Sequence, residues 1–209
     1  MGISLERPKF GSNSRWALSM PRAFPTLLLL SWTILGLVEQ NSSIKFPSPD
    51  GRFALRISED LTIDLIETSG KILVDIGKLY VEPDNSGREE TILVWSADSK
   101  WAAYGTRGPG YRSGNTTVYF WNGVAFEEVR LPANLPEPKI ERDKVKLKGY
   151  AVVPLRWLKA GELELSSELM GFGRDDGKKY TAKIVITVEL TAPHASVKKV
   201  GKTEARVSE

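Results

Sequence analysis

The chain has 209 residues, of which 41% are hydrophobic and 26% charged, so its length allows one sizeable core and its composition is that of a folded globular protein. It contains no cysteine, which excludes disulfides, thiol catalysis and cysteine-ligated zinc. The formal net charge of +3 falls to about +1 once residues 1–39 are set aside, because 25 basic and 24 acidic residues remain. A near-neutral domain gives no electrostatic case for nucleic-acid binding, which depends on a clustered phosphate-neutralising surface, so we expect no nucleic-acid partner.

The first element along the chain is an uncharged, leucine-rich run from Ala23 to Val38, preceded by four basic residues. About 20 apolar residues are needed to cross a bilayer, so this run is short for a permanent helix and typical of a secretory signal. We therefore predict a signal peptide over residues 1–39. The alternative is an uncleaved N-terminal membrane anchor over residues 23–38, and translation could also start at Met20.

The predicted compartment follows from this segment and from the lack of cysteine. Export without disulfides suits a bacterial envelope better than a eukaryotic secretory route. We expect a periplasmic or secreted protein or, if the segment stays uncleaved, one anchored to the inner membrane by residues 23–38. Membrane contact is expected only through that segment.

A motif that occurs twice, 48 residues apart, opens the predicted β-rich domain over residues 40–209. The first copy places the turn sequence Ser48–Gly51 before an apolar strand at 53–57, and Ser69-Gly70 then separates two further strands. The second copy repeats the turn at Ser96–Ser99, followed by a strand through 101–104. Self-similarity at this period indicates stacked supersecondary units.

Later in the second copy, Asn122-Gly123 lies between two apolar runs. This dipeptide is the strongest short-range hairpin signal, because both central residues of a type I′ turn need positive φ. We therefore predict a type I′ hairpin there.

A third, less regular copy aligns Trp157 with Trp95, and Gly161 with Ser99. After it we predict a strand over 162–166, a hairpin at Asp176-Gly177 and a returning strand over 180–188. The repeat units thus span about residues 44–80, 90–131 and 150–190. Residues 132–148 are predicted to be a linker or one short helix, and the polar tail from Pro193 is expected to fray at its end.

The repeated motif resembles the blade motif of TolB-like and dipeptidyl-peptidase-type β-propellers, which belong to the WD40-like repeat proteins. The likeness is carried by Ser48–Gly51 with the basic residue and apolar strand that follow, and by Trp95 with Ser96–Lys100. It implies that the turn joins one blade to the next and that the aromatic residue packs between them. It implies architecture, and no chemistry.

The predicted fold class is therefore all-β, with antiparallel sheets in an incomplete or small propeller-like array of about three blade units. Propellers usually close with four to eight blades, so three units would leave an open arc or complete a ring through self-association. A β-sandwich is the alternative fold.

No catalytic, cofactor or metal site is predicted. His194 is the only histidine and we expect it at the surface, so a metal site rich in histidine is excluded. Asp50 and Asp98 recur at equivalent positions, which favours a role in fixing turns over acid–base chemistry. Asp175-Asp176 does not complete a calcium loop. The tryptophans of the repeats are expected in the core; they are Trp95, Trp101, Trp121 and Trp157.

The glycine-rich stretch at 105–114 is the candidate binding loop. It lacks the Lys-Ser/Thr ending of a P-loop and connects strands, so a phosphate cradle is not indicated. It does combine an aromatic ring with two guanidinium groups on an exposed connection, in Arg107, Tyr111 and Arg112.

Three functions remain open from the sequence. The first is a protein-binding or assembly module of the bacterial envelope, with an unknown protein partner or with itself. The second is a hydrolase that uses two carboxylates and needs no histidine. The third is a non-catalytic remnant of a larger propeller. No cofactor is expected in the first or third case.

Overall fold

The computed structural model of the protein describes residues 43–81, 87, 89–108 and 113–208. The chain divides into two units, Met1–Val38 and Glu39–Glu209, and every described residue belongs to the second. The predicted signal peptide or anchor lies outside the described residues. Within the described part of the chain, no helix has the length and hydrophobicity to cross a membrane.

Three mainly antiparallel sheets make up the described structure. The first has the order β1-β2-β3-β4, with β1 Ser43–Lys45, β2 Phe53–Ile57, β3 Thr62–Glu67 and β4 Ile72–Lys78. The second has the order β5-β6-β8-β9, with β5 Glu90–Trp95, β6 Trp101–Arg107, β8 Thr116–Trp121 and β9 Phe126–Val129. A short strand, β7 (Ser113–Gly114), belongs to the third sheet, where it pairs in parallel with β10 (Val145–Lys159).

The third sheet is the largest. Its long central strands are β10 Val145–Lys159, β11 Glu162–Gly173 and β12 Lys179–Thr191. On the far side of β12 lie β13 His194–Val200 and β14 Glu204–Ser208, one after the other along the same edge. The described residues contain no helix, and the predicted all-β fold of antiparallel sheets in a propeller-like array of about three units is confirmed.

The predicted turn of the repeat is built identically in the first two copies. The Ser48 hydroxyl accepts a hydrogen bond from the Phe53 N–H at 3.0 Å, and the Ser96 hydroxyl accepts one from the Trp101 N–H at 3.0 Å. Each serine also donates to the aspartate two residues on, Asp50 or Asp98. Both aspartates therefore hold turns, as the sequence indicated.

A left-handed residue closes this turn in all three copies. Gly51 and Gly161 have φ of 72°, and Ser99 has φ of 58°. Glycine adopts this conformation at little cost, because it has no Cβ to clash with the backbone. Gly161 therefore marks the third copy at the aligned position.

The units are joined by a repeated tryptophan contact, which we call the indole joint. The Trp95 Nε1–H donates to the Phe46 carbonyl at 2.8 Å, and the Trp157 Nε1–H donates to the Val94 carbonyl at 3.0 Å. Each indole also packs on the aromatic residue that follows the preceding unit's turn, with ring centroids 6.1 Å apart for Phe53 and Trp95. The corresponding distance from Trp101 to Trp157 is 5.8 Å. The same contact therefore recurs at both junctions.

Two hydrophobic clusters lie between the sheets. The first joins the first two sheets and includes buried Phe53, Leu55, Tyr104, Tyr119 and Phe126. The second cluster joins the second and third sheets; among its buried members are Trp101, Val118, Leu163, Ile186 and Val188. The predicted core position of the repeat tryptophans is confirmed, since Trp95, Trp121 and Trp157 pack against these clusters.

The hairpin at Asn122-Gly123 forms, but its predicted type I′ turn is wrong. Gly123 has φ of 104°, whereas Asn122 does not have positive φ. The loop has four residues, because the Asn122 side-chain oxygen accepts hydrogen bonds from the N–H groups of Val124 at 2.8 Å and Ala125 at 2.9 Å. This side-chain cap replaces the two-residue turn.

Of the two alternatives for residues 132–148, the linker is found for 132–144, which contain no helix, and β10 already begins at Val145. The expectation that the tail frays is wrong, because β13 and β14 pair with β12 through residues 194–208. Lys198 reinforces this pairing by an ion pair with Glu162 at 2.7 Å.

The turn carboxylate Asp50 should make stability depend on acid pH. Partial burial raises the pKa of Asp50, but hydrogen bonds from the Arg52 N–H and guanidinium and from Ser48 outweigh it and lower the pKa to about 2. A pKa below the ordinary 3.8 means that the carboxylate stabilises the fold above pH 3.8 and loses this contribution as the pH falls toward 2. Asp50→Asn should therefore be less stable than the wild type at pH 6, with the gap closing by pH 2. Urea unfolding at several pH values measures this gap, and a gap independent of pH would contradict the assignment.

Candidate binding cleft

The predicted binding loop is only partly within the described structure. Tyr111 and Arg112 lie outside the described residues, and Arg107 is the last residue of β6. The Arg107 side chain is 19% exposed and forms ion pairs with Glu90 at 2.8 Å and Glu168 at 2.9 Å. Since Glu90 belongs to the second sheet and Glu168 to the third, Arg107 clamps the two sheets together.

Arg107 also lines a cleft of about 230 Å³ over one face of the third sheet. The strands β11, β12 and β14 form this face side by side. Their register aligns Glu168, Lys183 and Glu204 in one row. The next row on the same face consists of Met170, Thr181 and Arg206. Residues directly opposite one another on neighbouring strands share a face, so all six side chains project toward the cleft.

The charge of this cleft is mainly positive, so we call it the basic cleft. Its lining includes four cations, Arg107, Lys179, Lys183 and Arg206, and two carboxylates, Glu168 and Glu204. Lys183 pairs with Glu204 at 3.4 Å, and Glu168 accepts hydrogen bonds from Arg107 and from the Ser166 hydroxyl at 2.9 Å. Within the described part of the chain, no carboxylate forms an ion pair with the exposed Arg206. The cleft therefore has one guanidinium that its own acids do not neutralise.

The basic cleft is small, and one apolar side chain lies among its charges. Met170 shares the cleft face with Thr181 and is 7% exposed, whereas the side chains of Leu169 and Ala182 project to the opposite face. Drug-sized ligands usually occupy about 300–1,000 Å³, so a cleft of about 230 Å³ suits a side chain or a small anion better. An exposed guanidinium can hold a carboxylate through two parallel hydrogen bonds.

Part of this cleft is visible in the sequence. Lys179, Thr181 and Lys183 are polar residues at alternate positions of β12, which places them on one face. Glu204 and Arg206 are likewise charged residues at alternate positions of β14, in the segment that was expected to fray.

A second, acidic cavity of about 470 Å³ lies at the first sheet and is lined by Glu59, Asp60, Asp64 and Asp75. Its buried acid, Asp64, is held by the Arg56 guanidinium through contacts of 2.6 and 3.1 Å. Hydrogen bonds from Ser58, Lys78 and Thr62 lower the pKa of Asp60 well below its ordinary value. A general acid needs a raised pKa, so Asp60 is poorly suited to that role.

The remaining polar residues singled out in the sequence have structural surroundings. His194 is exposed at the start of β13, as expected. The Asp176 carboxylate accepts a hydrogen bond from the Lys178 N–H at 3.0 Å and so holds the hairpin between β11 and β12. In the described ranges, no three or more His, Asp or Glu side chains are placed to hold a metal ion.

The fold and the cleft define a propeller-like β-protein of three stacked sheets with a basic cleft on its third sheet. No protein family model matches the sequence, and no curated protein matches it. Among solved structures, it is similar to the β-propeller domain of Myceliophteria thermophila Cps50 (Swd1), at 9% identity and a TM-score of 0.23. The match covers 72% of this chain and 65% of that chain. A likeness this weak supports no functional assignment, so we base none on it.

Proposed function

We propose that this protein is a non-catalytic protein-binding module of the bacterial envelope, exported by its N-terminal segment, and that the basic cleft engages its partner. The export part of the proposal rests on the basic and apolar pattern of residues 1–39. The binding part rests on the third sheet.

The observation that carries the binding proposal is the position of the basic cleft on an extension of the third sheet. The strands of the first two sheets have three to seven residues, whereas β10, β11 and β12 have 15, 12 and 13. The third sheet packs on the second sheet through the portion of its long strands around Trp157, Leu163 and Val188. The basic cleft lies on the other portion, where Arg107 pairs with Glu168 and β7 pairs with Tyr150 and Ala151 of β10.

Ordering such an extension costs conformational entropy, which favours a role for it beyond packing of the core. It displays the exposed charged side chains of Lys183, Glu204 and Arg206 on one face. We therefore place the partner's contact at the basic cleft, near Arg206.

Site-specific photocrosslinking in the bacterial envelope tests this proposal. A photoreactive residue at Arg206 should crosslink to one reproducible protein partner, because this side chain is exposed at the cleft. The same residue at Val124, which is 80% exposed in the β8–β9 loop, is the matched control and should give no such product. Equal crosslinking at both positions, or none at Arg206, would contradict the proposed site.

Self-association is the other form of partner that the sequence left open. Size-exclusion chromatography with light scattering on the purified chain distinguishes it from binding to another protein. We expect a monomer, with the Arg206 crosslink appearing only in envelope material. A crosslink between two copies of the chain would instead identify the module as self-assembling.

A further inference from the structure

We propose that the partner binds as an extended segment with acidic side chains, which adds a strand to the outer edge formed by β13 and β14. This inference rests on the proposed function, since it names the partner's conformation and chemistry at the same site. The outer edge comprises residues 194–208 and borders the basic cleft through Glu204 and Arg206.

The β14 part of the outer edge is open to another strand, whereas at the start of β13 His194 forms a parallel bridge with Arg130. On its inner side, β14 pairs with β12 from Lys179 to Lys183, and no described strand pairs with its outer side. All five residues of β14 are exposed. An exposed edge strand presents a row of N–H and C=O groups to which an extended chain can hydrogen-bond.

The charge of the outer edge selects the incoming chain. Residues 194–208 carry four basic side chains, of which Lys198 pairs with Glu162 and Glu189, and one acidic side chain, Glu204, which pairs with Lys183. Lysines on an edge strand disfavour pairing with a second copy, because like charges would face each other. The same charges attract an acidic segment, so a partner protein is favoured over self-pairing.

The two faces of β14 specify the pattern of that segment. On the cleft face the incoming strand would lie beside Glu204, Arg206 and Ser208, and on the opposite face beside Ala205 and Val207. Val207 is 54% exposed and offers an apolar contact. Because side chains alternate along a strand, the best match is a segment in which acidic and apolar residues alternate.

A labelled peptide of four Val-Glu repeats tests the inference against the full 209-residue chain in a non-ionic detergent. Fluorescence anisotropy should show saturable binding that weakens with added salt. A peptide of four Val-Lys repeats should bind at least tenfold more weakly, because it opposes the charge of the edge. The Val-Glu peptide with methylated backbone amides should also lose binding, because it cannot form strand hydrogen bonds.

Charge-reversal variants of the protein test whether peptide binding depends on the outer edge or only on the overall positive charge of the protein. Arg206→Glu should weaken Val-Glu binding roughly five- to tenfold and strengthen Val-Lys binding. Lys45→Glu makes the same type of charge reversal on the first sheet, whereas the outer edge belongs to the third sheet. It should leave both affinities unchanged. Because β14 is fully exposed, neither reversal should alter the melting temperature by more than a few degrees.

The outcomes distinguish this inference from the proposed function. Unchanged affinity for the methylated peptide would overturn strand addition, and equal affinity for the two charge patterns would overturn the acidic partner. If no peptide binds while Arg206 still crosslinks to a partner, the inference fails and the proposed function stands. If neither occurs, both fail.

Discussion

Replacing Trp157 with alanine should lower the free energy of unfolding by about 3 kcal/mol, the lower end of the range for removing a large aromatic side chain from a core. The indole packs against Trp101 with ring centroids 5.8 Å apart and donates to the Val94 carbonyl at 3.0 Å. Truncation removes both contacts at the junction between the second and third sheets. Since Trp157 is half-buried, the loss should stay below that of a fully enclosed tryptophan.

Two further variants separate the parts of this effect. Trp157→Phe keeps an aromatic ring but removes the N–H donor, so it should cost about 1 kcal/mol. Leu158→Ala changes the next residue of the same strand, which is 45% exposed, and should cost less than about 1 kcal/mol. Guanidinium chloride unfolding measures all three variants. A loss for Trp157→Ala no larger than that for Leu158→Ala would show that the indole joint does not hold the sheets together.

The features that could be predicted from the sequence are those that the chain repeats or buries. Trp95 and Trp157 recur because each fills the junction to the preceding unit, and Ser48 and Ser96 recur because each caps the same turn. Repetition makes such positions visible even in one sequence. Burial of one face of a strand also produces a period-two pattern of apolar residues, and this pattern predicted the strand that corresponds to β12.

The outer edge escaped prediction because little of it is buried. Ala205 and Val207 alternate with Glu204 and Arg206, but none of these four side chains is covered, so the apolar signal is weak. Strand β14 exists because its backbone pairs with β12, and that pairing depends on a register no local pattern shows. The turn at Asn122 was also predicted wrongly, because the Asn122 side chain caps the loop by accepting a hydrogen bond and so replaces the type I′ turn.

The basic cleft could not be assembled from local sequence either. Arg107 and Glu168 meet across 61 residues, and Arg206 comes from a further strand on the other side of β12. Their proximity depends on the order of strands in the third sheet and on how that sheet packs on β6. Of the candidate loop residues, Arg107 lines this cleft, where it is 19% exposed and paired with Glu90 and Glu168.

The second large effect is expected at Gly105, where the second sheet touches the third. A Cβ built on Gly105 would overlap Cδ of Pro154 in β10 and would lie 3.1 Å from its Cγ. The proline ring is rigid, so it cannot rotate away, and the two sheets would have to separate locally. Gly105→Ala should therefore lower the free energy of unfolding by about 2 kcal/mol, within the usual range for overpacking a core.

Removing the obstructing ring provides the matched test of this mechanism. In the double variant Gly105→Ala/Pro154→Ala the new methyl group has room, so the combined loss should be smaller than the sum of the two single losses by about 1 kcal/mol. Gly123→Ala is the control for a glycine with open space around it, and its cost of about 1 kcal/mol should come from its φ of 104° alone. Strictly additive losses at Gly105 and Pro154 would mean that the close approach of β6 and β10 is not what requires glycine. A coupled pair would identify this contact as a further point, beside the indole joint and the Arg107 ion pairs, at which the third sheet is fixed to the second.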